Sequence, residues 1–542
     1  MVLSYCRSAA RCALTVPTLV LSLSVHALVA PPAAAAGPEE PPAFVQAITV
    51  AAGEDRVVAD WYRASDYRTL WTGADDTARR QALLAAFATA PDHGLPGVRY
   101  DAEALRQALL AARTEGDRGR VEIALTRAYL TWARDLTSGA INPAEVDPAI
   151  VREIALIEPV SLLNRIAAGN PQVVLDWLLP KSPAYLNLMK AKIRLEADIA
   201  GGGWGAPLSA QTLGPGDTGP EVVALRDRLV RMGYLSRSAT GTYDRKIEAA
   251  VVGFQLNHGL TADGIVNEST LAELNKGPED RLKSVIVALE RQRWMDHDRA
   301  ERHVWVNLPD FSAKIIDHGR TVFETRVVIG KNVPDQRSPE FSDRMEHMVI
   351  NPSWGVPRSI TVKEYLPLLQ RNPNAVSHLQ VLDRRGRVVP RGAVNFAAYN
   401  ARNFPFALRQ PPSDDNALGL VKFMFPNPYN IYLHDTPSKS LFAKEVRAYS
   451  HGCIRVADPL ALAHALLSVQ SKDAEAEFDE KLKTGNETTV RLLREVPVHL
   501  VYFTAYPDAK GRIVYRRDIY GRDAALFEAL SAAGVELAGV QR

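Results

Sequence analysis

Cysteine is nearly missing from this chain. Its 542 residues hold three, and Cys6 and Cys12 fall within the first dozen positions, leaving Cys453 alone in the rest. A surplus of charge is missing too. Lys and Arg number 64 against 62 Asp and Glu, a net of +2, which excludes the basic field that a nucleic-acid partner needs. With 46% apolar and 23% charged residues the composition is that of a soluble globular protein. At this length one hydrophobic core does not suffice, so three or four domains are expected.

The N-terminus reads as an export signal. Arg7 and Arg11 precede an apolar run from Ala13 to Ala30, and Ala34 to Ala36 offers an A-x-A cleavage site. A secretory signal is therefore expected over residues 1–36. The alternative is a retained inner-membrane anchor, but the run is at the lower length limit for a span and contains Pro17 and His26. Removing residues 1–36 leaves 62 charges of each sign and Cys453 as the sole thiol. A lone thiol in an oxidising compartment is a liability unless it has a chemical role; the alternative is an inert buried cysteine.

Residues 37–54 are Pro- and Ala-rich and read as a linker. From 55 to 205 strand signals are missing and apolar residues recur at the helical period, as in Val121, Ile123, Leu125, Tyr129, Trp132, Ala133 and Leu136. Pro171 and Pro183 suit first helical turns. His93, beside Gly94, reads as a structural turn residue. This is an all-α scaffold without a catalytic constellation. Residues 209–275 form a compact unit. Val222, Leu225, Leu229 and Met232 make one helical stripe, and Ile247, Val251 and Phe254 a second. Asp244 and Asn267 are natural N-caps for the second and third helices. This stretch, GDTGPEVVALRDRLVRMGYL followed by GTYDRKIEAAVVGFQLNHGLTADGIVNESTLAEL, resembles the three-helix peptidoglycan-binding module of bacterial cell-wall enzymes.

A helix near Asp280–Trp294 leads into a β-rich region that extends to about 510, followed by a C-terminal extension over 511–542. Alternation on both sides of His318-Gly319 predicts a hairpin. The Pro-, Asn- and Arg-rich stretch from about 363 to 418 reads as an insertion of mixed helix and loop, expected to act as a lid. Val421–Phe425 and Asn430–His434 read as strands. In the second, Ile431 and Leu433 face one side and Tyr432 and His434 the other.

Ser450-His451-Gly452-Cys453 follows, then Arg455. A thiol attacks as thiolate, and a histidine in reach can take its proton. His434, at a strand end before a carbonyl-rich turn, is the expected general acid/base. His451, two residues from Cys453, would share its face if the segment is extended, and is expected to orient groups on the oxyanion side. Gly452 permits close backbone approach, and the N–H groups of Gly452 and Cys453 are candidate oxyanion donors. Ser450, Tyr432 and Arg455 are expected to line the pocket. A zinc site from His434, His451 and Cys453 is the rival, weakened because Asp435 is the only nearby carboxylate for a base.

His434, fifteen intervening residues and then Ser450-His451-Gly452-Cys453 resemble the signature of the L,D-transpeptidase (YkuD-type) catalytic domain. FSDRMEHMVINPSWGVPRSI, ALRQPPSDDNALGLVKFMFPNPYNIYLHDTP and VYFTAYPDAKGRIVYRRDIYGRD look like the long, multidomain members of Gram-negative bacteria. That resemblance implies a multidomain protein: an α scaffold, a three-helix peptidoglycan-binding module and a mainly-β sandwich with a capping lid. It implies a periplasmic, monomeric transferase of peptidoglycan biosynthesis and cell-wall organisation, a carbapenem target acting on stem peptides as donor and acceptor. No cofactor or metal is implied. Arg409, Asn416, Trp354 and Lys422 are expected to contact substrate, with Arg455 and Arg409 holding stem carboxylates. Ser413 stands where glycine is expected before Asn416. Trimming of stems, or attachment of proteins to the wall, would use the same residues.

Overall fold

The computed structural model describes residues 41–209, 212–295 and 300–537. The expected export signal over residues 1–36 lies outside them. No helix among the described residues is long and apolar enough to cross a membrane.

The first two-fifths are helical, as the 3.6-residue period requires. Asn170 and Ser182 cap the helices that begin at Pro171 and Pro183, accepting from Val173 N and Tyr185 N. His93 is buried against Tyr185 Oη at 3.0 Å, a structural contact. The expected linker differs from the structure. Ala43–Ala52 is a helix, docked on the long helix Glu115–Ser138. Gly119 makes the approach feasible, since a Cβ there would lie 2.8 Å from Ala47 Cβ. Docking, rather than local preference, decides this segment.

The three helices Pro220–Arg231, Arg245–Asn257 and Glu268–Leu274 enclose their own core of Val222, Leu225, Leu229, Ile247, Val251 and Phe254. Asp244 and Asn267 cap the second and third helices.

The helix Pro278–Met295 is buried nearly all round, including Glu290, Arg291 and Arg293. It belongs to the core of the helical region, not to a catalytic domain that begins at 280. The expected C-terminal extension is not an appendage either. Strands Ala505–Pro507 and Ile513–Tyr515 pair, and the helix Arg522–Ala532 puts Leu526 and Leu530 into the same helical core.

Between them lies a nine-stranded sheet. Its order is Ala448–Ser450, Arg320–Gly330, Ile454–Val456, Leu433–His434, Val421–Met424, Phe341–Ile350, Thr488–Val501, Arg302–Asn307, Ser312–Asp317. Arg320–Gly330 also pairs with Ser312–Asp317, so the sheet folds over a shared core as a sandwich does. The hairpin turn is His318-Gly319, both at positive φ.

The insertion is more ordered than a mixture of helix and loop. Trp354–Gly355, Ala407–Gln410, Gln380–Leu382 and Val388–Val389 form a separate four-stranded sheet over a core that includes Leu366, Leu369, Phe396 and Phe404. It begins at Trp354, ahead of 363.

Candidate active site

Leu433–His434 runs parallel to Ile454–Val456, with Leu433 opposite Ile454 and His434 opposite Arg455. Opposed residues share a face. Leu433 and Ile454 are fully buried in the sandwich core. His434 and Arg455 therefore stand on the other face, and Tyr432 and Cys453, two residues earlier and just ahead of each strand, continue that face. Lys422, opposite His434 on the antiparallel neighbour, joins them. Alternation thus gathers Tyr432, His434, Cys453, Arg455 and Lys422 on one surface.

The His434 ring is buried, and its Nδ1–H donates to the carbonyl of Asp435. That bond leaves Nε2 as the free base. Burial, then the Arg455 cation, hold the imidazolium down to about 3. Burial pushes the Cys453 thiol up to about 11, against hydrogen bonds from the Tyr432 backbone and hydroxyl and the pull of Arg455. The resting pair is therefore a neutral thiol and a neutral imidazole. This differs from a cysteine held ionised by histidine, because burial penalises both charged forms. The thiol donates to Asn430 O at 3.4 Å, and Asn430 sits at φ 54° to present that carbonyl. Arg455 Nε is buried without a hydrogen-bond partner among the described residues. Burial also lowers the Lys422 ammonium pKa.

Ser450 ties the loop that carries Cys453 to itself. Its Oγ donates to Cys453 O at 2.6 Å and accepts from Gly452 N–H at 3.1 Å. Gly452 has φ 117°, and a Cβ there would press on Ile431 Cδ1 at 3.1 Å. The expectation for Gly452 N–H is corrected: it is bonded inside the loop rather than pointing into the site. The Cys453 N–H has no acceptor among the described residues and remains a candidate donor.

His451 is corrected as well. The expectation for His451 rested on an extended segment, and Gly452, between it and Cys453, has a positive φ of 117°. The Nε2 of His451 instead meets Glu364 Oε1 of the insertion at 2.7 Å. Asn416 is fully buried; its Nδ2 donates to Pro411 O at 2.9 Å and its Oδ1 accepts from Leu418 N–H at 2.9 Å. It clamps a turn and leaves little for a substrate. Ser413 accepts from Asn416 N–H without a positive φ, so serine fits there. Arg409 lies on the insertion sheet opposite Gly355 and is held by Gln380 Oε1 at 2.9 Å from Nη2. Trp354, half-buried on the same sheet, meets the edge of Tyr365 with centroids 6.3 Å apart.

Glu364 escaped sequence reasoning, and Asp435 was weighed there only as a possible base beside a metal. Glu364 reaches His451 across 87 residues. Asp435 is buried, accepting from Leu420 N–H at 2.9 Å and pairing with Lys439 at 2.5 Å. Gly419 makes room for it, since a Cβ there would overlap the carboxylate at 2.2 Å. Gly419 before a strand was the one available signal. Among the described residues no three His, Cys, Asp or Glu side chains lie close enough together to hold a metal ion.

Residues 301–490 match the family model of the L,D-transpeptidase catalytic domain. Residues 218–274 match a model described as "Putative peptidoglycan binding domain", and 56–191 a scaffold domain. A protein of Haemophilus influenzae named "Putative L,D-transpeptidase" is 33% identical over 222 residues, 41% of this chain and 44% of that one. The match thus spans less than half the length of that relative. Two solved structures are similar. An L,D-transpeptidase of Stackebrandtia nassauensis is 15% identical over 55% of this chain and 97% of its own, with a TM-score of 0.22. One from Xylanimonas cellulosilytica is 17% identical over 54% and 100%, with a TM-score of 0.17. At such scores these two likenesses carry no weight of their own.

Proposed function

With a YkuD-type L,D-transpeptidase catalytic domain at residues 301–490 and a peptidoglycan-binding module at 218–274 as premise, we propose that the chain is an exported enzyme that forms 3→3 peptidoglycan crosslinks through a thioester on Cys453. The observation that carries this reading is the shared outer face of Tyr432, His434, Cys453 and Arg455, with Nδ1 of His434 fixed by the Asp435 carbonyl.

The Cys453 proton passes to Nε2 of His434 as Sγ attacks the carbonyl of the third residue of a donor tetrapeptide. The C=O electron pair moves to oxygen, giving a tetrahedral oxyanion. Its collapse breaks the C–N bond, and the D-Ala amine leaves with the proton from His434. An amine on a second stem then attacks the thioester, giving its proton to His434, and the thiol is restored. Moving a proton between two neutral partners avoids a buried ion pair at rest. Arg455, unpartnered at Nε, stabilises negative charge that develops beside Sγ.

Incubation of the mature chain with tetrapeptide muropeptides tests the proposal, with Cys453→Ala as control. Crosslinked dimer dependent on Cys453 is expected. Trimmed stems or a protein adduct instead would make water or a lysine the acceptor. Labelling of Cys453 by a carbapenem, read as a mass shift, isolates the first half-reaction; no labelling of folded protein would overturn the nucleophile assignment.

A further inference from the structure

The peptide groups around Cys453 are held one by one. Gly452 N–H goes to Ser450 Oγ, Cys453 O accepts from Ser450 Oγ, and Ile454 N–H goes to Tyr432 O at 3.0 Å. The peptide joining Gly452 to Cys453 is held from outside the loop. Its carbonyl, Gly452 O, accepts from Ser338 Oγ at 2.6 Å. Ser338 is fully buried, and its Oγ also accepts from Gly330 N–H at 3.0 Å, which directs the hydroxyl proton to Gly452.

A peptide unit is planar and trans, so its N–H points opposite to its C=O. Fixing Gly452 O therefore fixes the direction of Cys453 N–H, a donor in this loop without an acceptor among the described residues. Ser338 is itself fixed from the C-terminal segment. Tyr520 Oη donates to Gly330 O at 2.7 Å and accepts from Ser338 N–H at 3.2 Å, and Arg522 Nη2 donates to Ser338 O at 3.1 Å. Gly330 lets the Gln336–Ser338 stretch come close, since a Cβ there would fall 2.0 Å from Gln336 O. Tyr520 and Arg522 lie beyond residue 490, where the match to the catalytic-domain model ends.

Resting on the acyl-transfer reading above, we infer that Ser338 is a positioning residue that aims the Cys453 N–H at the oxyanion, and that Tyr520 holds Ser338 in place. An N–H aimed beforehand needs no reorganisation when charge develops on the carbonyl oxygen.

Acylation of Cys453 in the full mature chain, by tetrapeptide donor and by carbapenem, tests the inference beside alkylation by iodoacetamide. Alkylation uses the same thiol but forms no oxyanion. Ser338→Ala should lower kcat for acyl transfer about tenfold or more, with KM and the alkylation rate each within about twofold. Tyr520→Phe should act in the same direction and less strongly, and decides the matter if Ser338→Ala does not fold. Wild-type acylation in a folded variant overturns the inference. So does an equal fall in acylation and alkylation, the mark of a collapsed loop. If the wild-type chain is alkylated but never acylated, the acyl-transfer reading itself fails, and this inference with it.

Discussion

Leu433 and His434 are neighbours in the chain, as are Cys453 and Ile454, yet each pair divides between two surfaces with opposite character. On the inner surface Leu433 and Ile454 are fully buried among apolar side chains. On the outer surface Lys422, His434 and Arg455 lie close together, cation beside base, with Arg455 Nε unpartnered. The inner surface gains stability by excluding water. The outer one keeps polar groups under-satisfied, a pattern found where strain and chemistry coincide. One strand pair serves both, because alternation separates the roles by a single residue.

Cys453→Ala should split the two surfaces most sharply. Crosslink formation should fall by about a thousandfold or more, while the thermal midpoint stays within a degree or two; a large loss of stability would show that the thiol also holds the fold. Leu433→Ala is the converse. It should cost about 2–5 kcal/mol in denaturant unfolding, with acylation by the folded fraction changed far less.

The pH dependence probes the outer surface. His434 is held below its ordinary value of 6.5, to about 3. Between those limits the unfolded chain binds a proton that the folded chain does not. Stability should therefore fall as pH drops through that window, and less steeply in His434→Gln. The thiol is raised above its ordinary 9.0, to about 11, so its contribution is present below pH 9.0 and is lost as pH rises towards 11. For catalysis, kcat/KM for acylation should be flat between about pH 5 and 8, since the active pair is neutral throughout. Arg455→Gln should bring the acid limb towards neutral pH by removing the cation that disfavours imidazolium. Glu364→Gln, which removes the charge from the partly exposed contact between the insertion and His451, should be the mildest. It should cost about 1 kcal/mol or less and change kcat/KM by no more than about fivefold.

The same contrast explains what could be read from the chain alone. Local rules placed the outer face: alternation puts His434 opposite Leu433, and a carbonyl-rich turn fixes its tautomer. Local rules also placed the three-helix module, through apolar stripes and the caps Asp244 and Asn267. Long-range packing was not legible. His451 meets Glu364 only because the insertion folds into a sheet of its own and lies over the loop. The helix Ala43–Ala52 exists because Glu115–Ser138 offers Gly119 as a seat. Asn416 looked available because an asparagine's donors do not announce whether a turn will consume them.

The return of the last helix has a consequence for the order of events during synthesis. Leu526 and Leu530 complete a core whose other members begin at Ile48, and Arg522 reaches Asp147 and Glu340 together. A nascent chain stalled anywhere before these residues would expose an unfinished hydrophobic surface and leave the Cys453 loop without its outer brace. Assembly of the site is thereby deferred until residues 520–530 have been made, and fragments trimmed to the catalytic match should depend on chaperones or aggregate.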